Sequence, residues 1–196
     1  MNAAAVSISP RKPAIPSEVI AMALFLFAEM MFFAGIISAY LVLRIQVAEW
    51  PPAGQPRFPA LATAFNTLLL VASGYTMWKS AVVIEARKVA SYKRLLAVSL
   101  TLGSAFLVLQ GYEWLELIGY GLTTTGNIYG ALFYVVIGSH ALHVAFALIF
   151  LALAVARIRR SPDARIQNDG AARALRLYWF FVVGIWPPLY GLVYLW

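Results

Sequence analysis

The feature that most constrains this chain is a series of five long apolar runs separated by short polar segments. The runs cover residues 19–43, 60–84, 95–120, 128–156 and 174–196. Each is longer than the ~20 residues that an α-helix needs to cross the hydrocarbon core of a bilayer. A soluble fold of this length needs a polar surface, yet 62% of the residues are hydrophobic and only 12% are charged. The sequence therefore predicts an all-α membrane protein, a bundle of five transmembrane helices within residues 19–196.

The basic residues predict the orientation of this bundle. With five spans, the amino terminus and the second and fourth loops share one side, and all but Arg44 and Arg57 of the 15 Lys and Arg residues fall there. Because cytoplasmic loops carry an excess of Lys and Arg, we expect residues 1–18 to form a polar cytoplasmic tail and the carboxyl terminus to lie outside. No cleavable signal peptide is expected. The same distribution explains the net charge of +7 without a nucleic-acid partner.

Glu29 lies about ten residues into the first span, hence roughly 15 Å deep. A carboxyl in hydrocarbon is costly unless it is neutral or paired, so we expect Glu29 to be largely protonated. Two interpretations are open. Glu29 is either a neutral carboxyl that is hydrogen-bonded to another helix, or a functional carboxyl on a proton-linked or lipid-facing surface.

His140 and His143 are the only histidines, and their spacing of three places both on one face of the fourth span. Two histidines alone are weak evidence for a metal site, and a haem–copper centre needs more ligands than this chain offers. The chain also has no cysteine, which excludes thiolate-bound zinc and iron–sulfur clusters. We therefore expect no metal ligands, no catalytic residues and no cofactor in this chain. A hydrogen-bonded structural pair that faces Glu29 or Glu113 is the favoured role of the histidines.

Glu113 lies towards the outer end of the third span. One interpretation is an interfacial carboxylate beside a belt of aromatic residues. The other is a polar anchor that pairs with a histidine or with a partner subunit. Aromatic side chains favour the water–lipid boundary, and those expected at lipid or at a subunit interface are Trp50, Trp114, Tyr178 and Trp179.

Taken together, segments of all five spans resemble the cytochrome c oxidase subunit III family. Residues 27–35 read FAEMMFFAG, similar to the family's S-E-x-M-F-F-A-G with alanine for serine. Further matching segments are NTLLLVAS at 66–73, QGYEW at 110–114, GSHALHV at 138–144 and YWFFV at 178–182. The five spans match the short bacterial form of the family. The last span departs from the pattern, since Phe180 and Val183 stand where the family has histidine and aspartate.

The resemblance implies a non-catalytic, multi-pass subunit of a respiratory oxidase in the bacterial cell (inner) membrane. Such a subunit packs on subunit I, where haem and copper in partner chains reduce oxygen with proton translocation. It holds phospholipid in a cleft and supports proton uptake and the stability of the oxidase during turnover. Glu29 takes the position of the family's carbodiimide-reactive carboxyl, and His140, His143 and Glu113 complete its internal polar set. Alternatives are a subunit-III-like accessory of a nitric oxide reductase and a stand-alone transporter or channel.

Overall fold

Five long helices make up the fold. The structure is a computed structural model that describes residues 15–160 and 170–196. The helices are α1 (Ser17–Ile45), α2 (Ala60–Glu85), α3 (Val89–Gly119), α4 (Ile128–Arg160) and α5 (Gly170–Tyr190), and a π-helical turn, Gly191–Leu195, follows α5. All five are long and apolar enough to cross a membrane, which confirms the predicted all-α bundle. Most of the predicted amino-terminal tail and part of the fourth loop, at residues 1–14 and 161–169, lie outside the described residues.

Several helices extend beyond the apolar runs that predict them. The third helix begins at Val89 rather than at residue 95, and the fourth continues to Arg160 rather than ending at residue 156. Hydropathy falls where basic residues begin, but Lys and Arg are good helix formers. The backbone hydrogen bonds therefore continue past the end of the apolar run.

The last helix occupies a central position in the bundle. Helix α5 contacts α1, α2 and α4, while α2 and α3 form the most extensive helix pair. Helix α1 packs only by one side, and Phe33 and Tyr40 are its two buried residues. The core contains a series of buried α5 side chains, among them Trp179, Val182, Trp186 and Leu189.

Contacts between helix ends define two ends of the bundle. Glu18, Arg157 and Ala171 line one cleft, so the start of α1, the end of α4 and the start of α5 meet at one end. At the opposite end, the Arg44 guanidinium donates a hydrogen bond to the Trp196 carbonyl over 2.7 Å. The start of α1 and the end of the chain therefore lie at opposite ends of the bundle, as expected when five helices cross a membrane in alternating directions.

Candidate functional site

Glu29 and His143 form a polar contact between α1 and α4. The Nε2 atom of His143 lies 2.8 Å from Oε2 of Glu29, and the two side chains are only 14% and 17% exposed. The other ring nitrogen, Nδ1, lies 2.6 Å from the backbone carbonyl of Ser139. A carbonyl can only accept, so Nδ1 carries a hydrogen. Nε2 then needs one proton between itself and Glu29, supplied either by a neutral carboxyl or by an imidazolium.

Aromatic rings surround this pair. The His143 ring lies 5.1 Å from the Phe33 ring and 5.8 Å from the Phe32 ring, measured between centroids. The Tyr178 hydroxyl of α5 donates to the His143 backbone carbonyl at 3.3 Å. Exclusion of water by the rings strengthens a hydrogen bond in which one partner is ionised or shares a proton. The pair therefore joins α1 to α4 firmly, and Tyr178 links it to α5.

His140 has a different environment from His143, although the two are one turn apart. Its ring is fully buried and stacks on Trp186, with 4.8 Å between centroids. Neither of its nitrogens has a hydrogen-bond partner among the described residues. The structure thus brings His143 to Glu29, one of the two partners expected for the histidines, and places His140 in the core, away from the hydrogen bonds of both carboxyls.

Glu113 belongs to a second polar cluster, formed by α2, α3 and the π-helical turn that follows α5. Its Oε2 atom accepts hydrogen bonds from the Thr63 hydroxyl at 2.9 Å and from the Gln110 amide at 3.1 Å. The same amide lies 3.2 Å from the Tyr194 hydroxyl. Glu113 is only 7% exposed, whereas Glu116 is exposed. The interpretation of Glu113 as an interfacial carboxylate is therefore wrong, because its side chain points into the bundle.

Sequence reasoning missed two members of this cluster, Thr63 and Tyr194. Thr63 could have been found, because it lies three residues before Asn66 and hence on the same face of α2. Nothing in the sequence indicated Tyr194, which reaches Gln110 from the π-helical turn at the end of the chain.

The four aromatic residues expected at lipid or at an interface have different positions. Trp179 is completely buried and lies against α3, where a Cβ atom at Gly103 would stand 2.6 Å from its ring. For Trp179 the expectation is wrong. Trp50 and Trp114 are half-buried, and Tyr178 is buried against the other helices while lining a cleft.

That cleft lies between α1, α4 and α5 and has a volume of about 570 Å³. Apolar side chains form most of its walls, and Glu18 and Arg157 provide its charged groups. Phe25 and Tyr178 form one side, with their rings 5.9 Å apart. Because Tyr178 also bonds the His143 carbonyl, the cleft and the Glu29–His143 pair share a residue. The sequence did not predict that Glu18 and Arg157, which are 139 positions apart in the chain, line the same cleft.

Known proteins with a similar sequence identify the family. A family model described as cytochrome c oxidase subunit III matches residues 17–196. A cytochrome c oxidase subunit 3 from Synechocystis sp. is 35% identical over 172 residues, which are 88% of this chain and 72% of that protein. The subunit 3 of Thermostichus vulcanus is 33% identical over 178 residues, 91% and 87% of the two chains. The chain belongs to the cytochrome c oxidase subunit III family.

Within this subunit III, Val183 shows how the last helix accommodates one departure from the family pattern. A Cβ atom at Gly74 of α2 would stand 3.0 Å from a methyl group of Val183, so the two helices approach closely there. Val183, at the position where the resemblance leads us to expect an aspartate, thus makes an apolar contact between α5 and α2. Phe180, in place of the histidine, is half-buried.

Among residues 15–160 and 170–196, no three His, Asp or Glu side chains of subunit III come close enough to hold a metal ion. The two polar clusters can hold protons and join helices, and the cleft can bind an amphiphile.

Proposed function

We propose that this subunit III is a non-catalytic, multi-pass component of a bacterial inner-membrane oxidase that reduces oxygen with proton translocation. Haem and copper are held by partner subunits, and the chain packs on subunit I. It holds phospholipid, and it supports proton uptake and the stability of the oxidase during turnover. The amino terminus is cytoplasmic and the carboxyl terminus lies outside.

The observation that carries the proposed role is the cleft between α1, α4 and α5. Its long apolar walls suit acyl chains, and the Arg157 guanidinium suits a lipid phosphate. The cleft lies at the end of the bundle that carries the basic segments, where the leaflet surface is negative in the proposed orientation. Tyr178 lines the cleft and donates a hydrogen bond to the His143 carbonyl, so a lipid in the cleft would contact a residue that is bonded to the Glu29–His143 pair. This geometry supports lipid-dependent stability more directly than it supports transport or channel activity.

Purification of the native assembly tests the class of function. We expect haem absorbance, oxygen consumption and a subunit I to accompany this chain in a mild detergent. Nitric oxide consumption without oxygen consumption would instead indicate an accessory of a nitric oxide reductase. A haem-free particle made of this chain alone, with solute flux in vesicles, would indicate a transporter.

Native mass spectrometry tests the lipid site. The variant Arg157→Gln removes the positive charge at the cleft. We expect an assembly with this variant to retain fewer phospholipid molecules after delipidation than the wild-type assembly. Arg160→Gln removes an exposed charge from the same helix end without touching the cleft, so it should retain the wild-type number. Equal lipid retention in both variants would contradict the assignment of Arg157 to the lipid site. Oxygen consumption tests the class of function independently of this result.

A further inference from the structure

Several fully buried polar atoms in the interior of the bundle have no hydrogen-bond partner among the described residues. They are Oδ1 of Asn66, Oε1 of Gln110, Nδ1 and Nε2 of His140 and Nε1 of Trp179. The four side chains are at most 1% exposed. Buried polar groups in proteins are almost always bonded, and each exception asks for an explanation.

His140 is the clearest exception. A neutral imidazole has one donor and one acceptor nitrogen in either tautomer, so no choice of tautomer satisfies it. The ring neighbours of His140 are aromatic: it stacks on Trp186 and meets the edge of Phe106 at 6.3 Å between centroids. Two hydrogen bonds are therefore missing at this position.

The amide groups of Asn66 and Gln110 leave two more buried atoms without a partner. The Asn66 amide nitrogen donates to the Phe106 carbonyl at 3.1 Å, and Gln110 follows Phe106 by one turn on the same face of α3. Each amide uses its nitrogen and leaves its oxygen without a donor. Exchanging oxygen and nitrogen in either amide does not help, because one atom of the group would still lack a partner.

Burial decides what can supply the missing bonds. Side chains at most 1% exposed cannot be reached by a lipid or by a partner chain. A metal ion requires more ligands than a single imidazole among aromatic rings provides. The occupant must be very small, and it must donate to the amide oxygens and both donate to and accept from the imidazole. Water meets all of these requirements, and it commonly satisfies buried polar groups in this way.

We propose that the interior of the bundle binds water at two positions, one on the His140 ring and one between the carbonyl oxygens of Asn66 and Gln110. Because the Gln110 amide also bonds Glu113, the second water extends the Thr63–Glu113–Gln110 cluster towards the middle of the membrane.

A cryo-electron microscopy map of the native assembly that resolves ordered water tests the proposal. We expect density within about 2.7–3.2 Å of a His140 nitrogen and of both amide oxygens. In His140→Phe the first density should be lost, in Asn66→Leu the second, and in the control Ser139→Ala, a half-buried position on α4 next to His140, neither. A wild-type map that shows buried water elsewhere and none at these atoms overturns the proposal, whether or not the variants fold. Density that persists beside the ring in His140→Phe overturns the His140 position.

Discussion

At the scale of single residues, the contact between Glu29 and His143 is decided by one proton. The Nδ1–H group of His143 donates to the Ser139 carbonyl. Its Nε2 atom faces Glu29 and must share one proton with the Glu29 carboxyl. A carboxylate beside a neutral imidazole would place two acceptors 2.8 Å apart, which is repulsive. With one shared proton the pair is neutral as a whole, and this is the state that a partly lipid-exposed site tolerates best.

We expect two substitutions at Glu29 to have different effects. In Glu29→Gln the amide can still donate to Nε2, so we expect insertion, assembly and thermal stability close to wild type. In Glu29→Leu the Nε2 atom loses its partner, and we expect a loss of roughly 1–3 kcal/mol of stability, the usual cost of a buried polar group left unpaired. Thermal denaturation of the purified assembly measures both.

The pair of substitutions also separates the two interpretations of Glu29. If Glu29→Gln assembles normally but loses proton-linked activity or turnover stability, the ionisable group itself matters. If Glu29→Gln fails to insert, the carboxyl is a structural requirement that an amide cannot meet, and the shared-proton account is contradicted. Met30→Gln, next to Glu29 on the exposed side of α1, controls for the effect of adding an amide to this helix.

The sequence allowed part of this site to be predicted, and the limit has a physical cause. Depth and residue type identified Glu29, His143, Glu113 and His140 as groups that need partners. Residues three apart on a helix differ by about 60° in direction, which is enough to send His143 towards α1 and His140 into the core. Which neighbour each one meets depends on the packing of α1 and α5, and a single sequence does not encode that arrangement locally.

At the scale of helices, the close approach of the Trp179 side chain of α5 to α3 depends on Gly103. A Cβ atom there would stand 2.6 Å from the Trp179 ring and 3.1 Å from a methyl group of Leu148. Trp179 is completely buried, so its ring has no free space to move into. The glycine is therefore required by the position of a tryptophan that was expected, as an aromatic residue, at lipid or at a subunit interface.

We predict that Gly103→Ala destabilises the bundle by about 1–3 kcal/mol, the typical cost of overpacking. Gly111→Ala, on the same helix, is the matched control, because a Cβ atom at Gly111 meets nothing within 4 Å. Alanine favours helix more than glycine does, so this control should be neutral or slightly stabilising. Equal denaturation temperatures for the two variants would show that α3 and α5 separate more easily than the structure indicates.

Helix existence and helix packing differ in how far the sequence predicts them. Apolar runs of sufficient length predicted all five spans, because a helix is the structure in which a single segment satisfies its own backbone in lipid. The faces of these helices were harder to predict, because lipid-facing and core-facing residues are both apolar. Trp179 and Trp50 illustrate this: one is wholly buried in the core and the other half-buried, and hydropathy does not distinguish them.

At the scale of the whole molecule, the two ends of the bundle differ in charge. The end formed by the start of α1, the α2–α3 connection and the end of α4 carries the basic segments, including Arg87, Lys88 and Arg157. At the other end Arg44 lies between the Trp50 and Trp196 rings, 4.7 and 4.8 Å from their centroids. Such a difference between the two ends favours retention of the basic end in the cytoplasm.

Because the chain contains no cysteine, single cysteines can report this orientation without background. Ala86→Cys lies in the exposed turn between α2 and α3, and Thr124→Cys lies in the exposed connection between α3 and α4. Neither substitution changes a charge, so neither alters the signal that sets topology. We expect a membrane-impermeant maleimide to label Thr124→Cys in intact spheroplasts and Ala86→Cys only in inverted vesicles or after permeabilisation. Labelling of Ala86→Cys in intact spheroplasts would reverse the orientation, and the lipid cleft with Arg157 would then open towards the outer leaflet.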